Sequence, residues 1–349
     1  MAPGEVDPEI SGLAVHSADV APGNLFAALK GGNADGADNL KEAFANGAVA
    51  VLAGRPLKTP AGVPVICDAN PRRRLAFAAA RFHARQPRTV VAVTGTNGKT
   101  SVAWFVRLLW EALGVRAASV GTLGVLTGSD QQILRHTTPP PVDLHRIFAD
   151  LAERGTEHVV VEASSHGLEQ HRLDGARLVA GAFTNLSRDH FDYHNSVEDY
   201  FAAKMRLFRD VLEPGSVAVV NADSPAYPEV AKVCRDAGHR ILSYGRHGAN
   251  LRVEGHRSNG SCQYVELEVD GHRDTVRLPL VGDFQAWNVL CAVGLVIGAG
   301  ADIGAAVAVL PQLRGVPGRI QEVAELNGGR VFVDYAHTPD ALESCLRAL

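Results

Sequence analysis

Apolar and polar positions change their rhythm twice along this chain. Between 89 and 221, short apolar runs rich in β-branched residues alternate with segments of helical spacing. The runs at 89–93, 158–162, 181–184 and 216–221 read as strands, and 100–113 reads as a helix closed by Gly114. Continuous apolar strands alternating with helices predict a parallel sheet covered on both faces, an α/β fold. Residues 250–280 alternate strictly instead, as in Cys262-Gln263-Tyr264-Val265-Glu266-Leu267-Glu268-Val269. That pattern predicts antiparallel hairpins at the edge of the same region.

The flanks differ. Residues 12–17 and 21–26 mix short strands and turns, 39–46 have helical spacing, Gly47 fits a C-cap, and 48–52 form an apolar run that predicts a buried strand. Asn70-Pro71-Arg72-Arg73-Arg74 leads into an Ala-rich helix, and 86–88 reads as a linker. Past Gly318, 330–334 predicts a strand and 339–349 the start of a helix. One strand and one helix cannot bury a core, so either a third unit opens here and continues in a longer protein, or the ending is unusual. The expected division is 1–86, 87–317 and 318–349, in keeping with 349 residues.

Composition narrows the function. Hydrophobic residues make up 46% and charged ones 21%, with a net charge of −4, so no basic stripe invites nucleic acid. The first residues lack the basic and apolar regions of a signal peptide, and the longest apolar stretch, 289–301, is too short for a membrane span. Five scattered cysteines without a CxxC pair suit a reducing cytoplasm.

The candidate chemistry starts at Val93-Thr94-Gly95-Thr96-Asn97-Gly98-Lys99-Thr100, between a strand and a helix. Two glycines let backbone N–H groups turn toward phosphate oxygens at a helix N-terminus. Lys99 would reach the β and γ phosphates of ATP, and the Thr100 hydroxyl would bind Mg²⁺. Val93 stands where a strict Walker motif has its first Gly.

A site that handles ATP must hold several anions together with Mg²⁺, Lys and backbone dipoles. Glu162 ends an apolar strand, where a metal ligand or a solvated acid would sit. Asp189, His190, Asp192 and His194 crowd the end of the next one. Ser196-Val197-Glu198-Asp199 predicts a capping box. In the helix that follows, Lys204 shares a face with Tyr200 and Phe208. Such a lysine either snorkels to solvent or is buried with a lowered pKa, and a neutral amine could capture CO₂ as a carbamate ligand.

These words resemble the Mur ligases, and among them the enzymes that add the third amino acid to UDP-N-acetylmuramoyl-dipeptide. The resemblance rests on Gly95 to Thr100, on Glu162-Ala163-Ser164-Ser165-His166-Gly167-Leu168, on the 184–194 segment and on Tyr200-Phe201-Ala202-Ala203-Lys204-Met205-Arg206-Leu207-Phe208. It also rests on Asp334-Tyr335-Ala336-His337-Thr338-Pro339-Asp340-Ala341-Leu342, and runs from about residue 12 to the end. It implies a small uridine-binding α/β domain, a central P-loop ATPase domain and the start of a Rossmann-like third domain.

The resemblance further implies nucleotide binding by Gly95, Thr96, Asn97, Gly98, Lys99, Thr100, Ser101, Asn288, Arg319 and Asp334. It implies Mg²⁺ ligation by Thr100, Glu162, His190 and a carbamylated Lys204. Lys99, Lys204 and His190 carry the catalytic roles. Ser17, Thr137, Thr138, Ser164, Gln170 and Arg172 would contact UDP-muramoyl-dipeptide, and the second substrate would be meso-diaminopimelate or L-lysine. A cytoplasmic monomer without nucleic-acid or membrane partners is expected. From the residues alone, Thr137-Thr138-Pro139 reads as a turn, Gln285 and Asn288 as helix caps, and Asp334 as a strand-end turn residue.

Three departures stand out. His16-Ser17-Ala18 replaces the family's Asp-Ser-Arg, Ala37 replaces a His, and Gln285 replaces the first Asn of G-x-F-N-x-x-N. They leave open a Mur-like ligase of specialised metabolism with another carboxylate acceptor, or a non-catalytic nucleotide-binding fragment.

Overall fold

The computed structural model describes residues 7–31, 34–187, 194, 196–259, 262–269, 271–337 and 339–349. These residues form two compact units. The first comprises 1–86 with 139–150 and 170–176, and the second holds 87–138, 151–169 and 177–349.

In the first unit, β1 (Gly12–Ala14), β2 (Asn24–Ala28), β3 (Ala50–Ala53) and β4 (Val65–Cys67) pair in parallel in that order. Period-two alternation sends Leu25, Ala27, Ala50 and Leu52 to one face, where Leu75 packs. Phe26, Ala28, Val51 and Ala53 go to the other, against Ala43. Both faces are covered, which is why 48–52 reads as a continuous apolar run. The helix Pro71–Phe82 delivers Leu75; Asn70 caps it by accepting from Arg73 N, and Pro71 occupies its first turn.

The second unit holds an eleven-stranded sheet among the described residues. Its strands in chain order are β5 (Thr89–Thr94), β6 (Ala117–Gly121), β7 (Gly124–Thr127), β8 (Asp130–Gln132), β9 (His158–Glu162), β10 (Ala180–Phe183), β11 (Val217–Asn221), β12 (Arg240–Gly245), β13 (Leu251–Ser258), β14 (Gln263–Val269) and β15 (His272–Leu278). The central run β12-β11-β10-β5-β9-β6 is parallel. Antiparallel β14-β15 and β7-β8 extend its two ends, so the hairpins expected at 250–280 are present. The helix Lys99–Ala112 packs over β5, β9 and β6, and the helix Asp283–Gly298 over β10, β11 and β12. The carboxyl ends of β5, β9 and β10 lie side by side, the place where open α/β sheets bind ligands.

β15 ends at Leu278, and Gly282, at φ +91°, turns the chain into its helix. Two expectations need correction. The phosphate-loop helix starts at Lys99 rather than 100, because Gly98 caps it in the left-handed region. The single strand expected after 318 is a hairpin, β16 (Gln321–Leu326) with β17 (Gly329–Val333), followed by the helix Pro339–Ala348. Among the described residues no helix is long and apolar enough to cross a membrane.

Candidate functional site

The loop after β5 owes its shape to two glycines. Gly95 lies at φ +141° and Gly98 at φ +89°. A Cβ at Gly95 would overlap Thr184 Oγ1, and one at Gly98 would come within 2.5 Å of Asn288 Oδ1. The chain leaving β10 laces the loop in place. Thr184 Oγ1 donates to Asn97 O at 2.6 Å, Asn97 N to Asn185 Oδ1 at 2.9 Å, and Ser187 N to Thr96 Oγ1 at 3.0 Å. Buried Tyr200 donates its hydroxyl to Thr96 Oγ1 at 3.2 Å.

Two lysines reach the same loop. Lys99 Nζ donates to Gly95 O at 2.9 Å and to Thr96 O at 2.8 Å. Lys204 is buried, with Nζ 2.8 Å from Gly95 O and 4.1 Å from the centre of the Tyr200 ring. The snorkelling alternative is therefore excluded. The Ser196 cap, accepting from Asp199 N, sets the start of the helix Val197–Arg206 that carries Tyr200 and Lys204.

Glu162 is buried beside the loop. Its Oε2 accepts from Thr100 Oγ1 at 3.0 Å and from Thr122 Oγ1 at 3.2 Å, and its Oε1 from Thr122 N at 2.8 Å. A Cβ at Gly121 would overlap this carboxylate. Burial raises its pKa, and the Lys99 charge and the bonds from Thr122 and Thr100 only partly offset that. An acid held at the end of β9 is thus no solvated strand end. Carboxylate and hydroxyl oxygens this close form the donor type a hard divalent cation prefers. Among the described residues no three His, Cys, Asp or Glu side chains gather as a metal site. His190, with Asp189 and Asp192, lies outside the described residues.

Thr137, Thr138 and Ser164 converge on Glu162. Thr137 and Thr122 share a hydroxyl hydrogen bond of 3.1 Å, Thr138 Oγ1 donates to Glu162 O at 2.7 Å, and Ser164 N donates to Thr138 Oγ1 at 3.0 Å. The other expected substrate residues belong to the first unit. There Ser17 Oγ donates to Glu42 Oε2 at 2.5 Å, and Arg172 Nη2 donates to Gln170 Oε1 at 2.8 Å.

Asn288 and Gln285 are both buried and joined by a 3.0 Å bond; neither caps the helix, whose N-cap is Gly282. Ser101 is buried in the first helical turn. Arg319 and Asp334 form a second cluster. Arg319 lies over the Tyr335 ring at 5.0 Å, and Asp334 accepts from Ile320 N and Ala336 N, each at 2.7 Å.

Thr122 was not singled out in the sequence; its one available signal was Gly121 before it, a glycine ending an apolar stretch. Thr184, Asn185 and Ser187 figured only as part of the 184–194 segment, and Tyr200 only as a face partner of Lys204.

Residues 93–296 match the family described as Mur ligase middle domain, and residues 9–83 match the Mur ligase family, catalytic domain. The chain belongs to the Mur ligase family. A relative from Bradyrhizobium diazoefficiens, named UDP-N-acetylmuramoyl-L-alanyl-D-glutamate--2,6-diaminopimelate ligase, is 47% identical over 345 residues, 98% of this chain and 71% of that protein. A relative of the same name from Zymomonas mobilis is 43% identical over 350 residues, 100% of this chain and 72% of that one. A solved structure of a UDP-N-acetylmuramoyl-L-alanyl-D-glutamate--2,6-diaminopimelate ligase superposes with a TM-score of 0.85 at 31% identity, covering 100% of this chain and 72% of its own. MurF from Acinetobacter baumannii shares the fold at 20% identity, with a TM-score of 0.71 over 97% of this chain and 71% of that one. Within this Mur ligase, Lys99, Thr100, Glu162, Lys204 and Asn288 fall inside the middle-domain match, and Arg319 and Asp334 beyond it.

Proposed function

We propose that this Mur ligase joins 2,6-diaminopimelate to UDP-N-acetylmuramoyl-L-alanyl-D-glutamate, coupled to cleavage of ATP to ADP and phosphate. It thereby adds the third amino acid of the peptidoglycan peptide. The observation that carries the reading is buried Glu162 bonded to Thr100 of the phosphate loop, beside Lys99. The names of its relatives support the substrates.

The chemistry follows from the charges. A carboxylate oxygen of the D-glutamyl residue attacks the γ-phosphorus, the bond to the ADP oxygen breaks, and ADP leaves with that electron pair. The amine of the incoming amino acid then attacks the acyl carbon, phosphate departs, and the nitrogen loses a proton. The backbone amides of 95–100 would cradle the phosphates, and Lys99 would balance charge as the γ-phosphoryl group transfers. Asn288 would meet the nucleotide beside Gly98; Arg319 and Asp334 would complete its site. Thr137, Thr138 and Ser164 would hold the dipeptide end, and Ser17, Gln170 and Arg172 the rest of the UDP-sugar.

Thr100 and Glu162 fit Mg²⁺ as oxygen donors, with His190 and a carbamylated Lys204 completing the set. Mg²⁺, when bound, neutralises phosphate oxygens. In this reading 1–86 is the UDP-sugar domain, 87–317 the ATPase domain and 318–349 the start of the amino-acid domain, in a cytoplasmic monomer.

The test is phosphate release from ATP with UDP-N-acetylmuramoyl-L-alanyl-D-glutamate and 2,6-diaminopimelate, each omitted in turn and L-lysine substituted. Release that requires both substrates supports the reading. Activity only with another carboxylate acceptor would move it to a related ligase, as the His16-Ser17-Ala18 departure allows. Absence of both turnover and nucleotide binding would end it.

A further inference from the structure

Trp287 lies one residue before Asn288, in the first turns of the helix Asp283–Gly298. Its indole Nε1 donates to Asp223 Oδ2 at 2.7 Å. Asp223 sits just beyond β11, and its carboxylate also accepts from Arg246 N at 2.9 Å, His247 N at 2.9 Å and His247 Nδ1 at 2.8 Å. Burial alone would raise this acid's pKa, but the hydrogen bonds from Arg246, Trp287 and His247 outweigh it, and the pKa falls below the ordinary aspartate value. Asp223 is therefore a charged acceptor with its bonds made. Gly245, at φ +117°, gives it room: a Cβ there would come within 2.5 Å of Asp223 Oδ2.

From Asp223 the bonds continue to the phosphate loop. Asp223 N donates to Asn221 Oδ1 at 2.9 Å, Asn221 Nδ2 to Thr184 O at 3.2 Å, and Thr184 Oγ1 to Asn97 O at 2.6 Å. On the other side, Trp287 is covalently next to Asn288, whose Oδ1 lies against Gly98. A ring of contacts thus closes from Asn97 through Thr184, Asn221, Asp223, Trp287 and Asn288 back to Gly98. The ring ties the carboxyl ends of β10 and β11 and the helix Asp283–Gly298 to both glycine-flanked sides of the loop.

We propose that Trp287 and Asp223 are positioning residues for the nucleotide, a latch that holds Asn288 and the loop segment Asn97-Gly98 in register. The proposal rests on the nucleotide-binding reading of that loop. Neither residue need touch the ligand. Without the indole N–H, the helix start is released from the β11 end, and Asn288 loses its fixed height over Gly98. The nucleotide must then restore that geometry on binding, which costs affinity.

The test is equilibrium binding of ADP with Mg²⁺ to the full chain, with the thermal midpoint of the nucleotide-free protein measured in parallel. Trp287→Phe keeps the ring and removes the donor; it is expected to weaken ADP binding about tenfold while the midpoint stays within about 2 °C. Asp223→Ala is expected to weaken binding at least as much. The double variant should bind no worse than Asp223→Ala alone, because both remove the same link. If Trp287→Phe binds ADP like the unaltered protein, or if the two effects multiply, the latch is overturned while the nucleotide site stands. If the unaltered chain binds no ADP, both the nucleotide-site reading and the latch fall.

Discussion

Lys99 and Lys204 share one acceptor, the carbonyl oxygen of Gly95, at 2.9 and 2.8 Å. One lysine opens the helix after the loop, and the other comes from the helix Val197–Arg206, about a hundred residues later. A carbonyl has two lone pairs, so it can serve both lysine nitrogens. The result is two lysine Nζ atoms gathered on one carbonyl of the phosphate loop, with the Lys99 charge acting on the buried carboxylate of Glu162.

Lys99→Ala removes the charge expected to meet the transferring phosphoryl group. Loss of one such donor costs on the order of 100- to 1000-fold in rate. We expect kcat/KM for ATP to fall on that scale, with a far-ultraviolet circular dichroism spectrum unchanged from the parent protein. A variant that keeps turnover within tenfold would remove Lys99 from the phosphate site.

Glu162→Gln separates stability from function. Burial raises the carboxyl pKa, so the charged form is the costly one in the fold. Glutamine keeps the size and one acceptor, and the Thr100 and Thr122 hydroxyls can rotate to accept from its amide. The thermal midpoint should rise by about 2 °C. Mg²⁺-dependent enhancement of nucleotide binding should disappear, as titration calorimetry with and without Mg²⁺ would reveal. A lower midpoint together with intact Mg²⁺ enhancement would contradict this assignment.

Gly98→Ala probes the loop backbone. Its φ of +89° is strained for a residue with a Cβ, and that atom would stand 2.5 Å from Asn288 Oδ1. Either the loop or Asn288 must move. ADP affinity should fall at least tenfold, as titration calorimetry would show. An unchanged dissociation constant in the single variant would show that the loop tolerates the side chain.

Legibility in the sequence followed the range of the interactions. Strand β9 reads from its own β-branched run, and the phosphate loop from Gly95, Gly98 and Lys99, because each is decided by neighbours in the chain. The Ser196 cap was visible for the same reason. Burial of Lys204 was not, since spacing places it on an apolar face but cannot say what covers that face. Thr122 and the loop-bracing role of Asn185 were invisible because they depend on β6 pairing with β9 and on β10 pairing with β5. The strands Ala117–Gly121 and Arg240–Gly245 had no strict alternation to announce them, and they form because parallel neighbours complete their hydrogen bonds.

His145 gives the first unit a pH dependence with a definite sign. The ring is buried, with Nε2 3.1 Å from Asp174 O, and burial lowers its pKa to about 4, the Asp174 bond opposing and nearby His83 reinforcing the shift. In the unfolded chain the value returns to about 6.5. Between pH 6.5 and 4 the unfolded state therefore binds a proton that the folded state refuses, so the stabilisation present above 6.5 is lost as pH falls through this window. Each unit below 6.5 costs roughly 1.4 kcal/mol, or about 2 kcal/mol by pH 5. His83 and His158 are shifted in the same direction by burial, so the dependence of the unaltered protein is a sum. Comparison with His145→Gln, whose amide can still donate toward Asp174 O, isolates the one residue. Urea unfolding at pH 7 and pH 5 should show a smaller drop in the variant, by about 2 kcal/mol. The His145 ring protons should show no titration between pH 8 and pH 5 by nuclear magnetic resonance. Identical pH slopes for the two proteins, or a midpoint near 6.5 for that ring, would show that His145 is not held neutral by its surroundings.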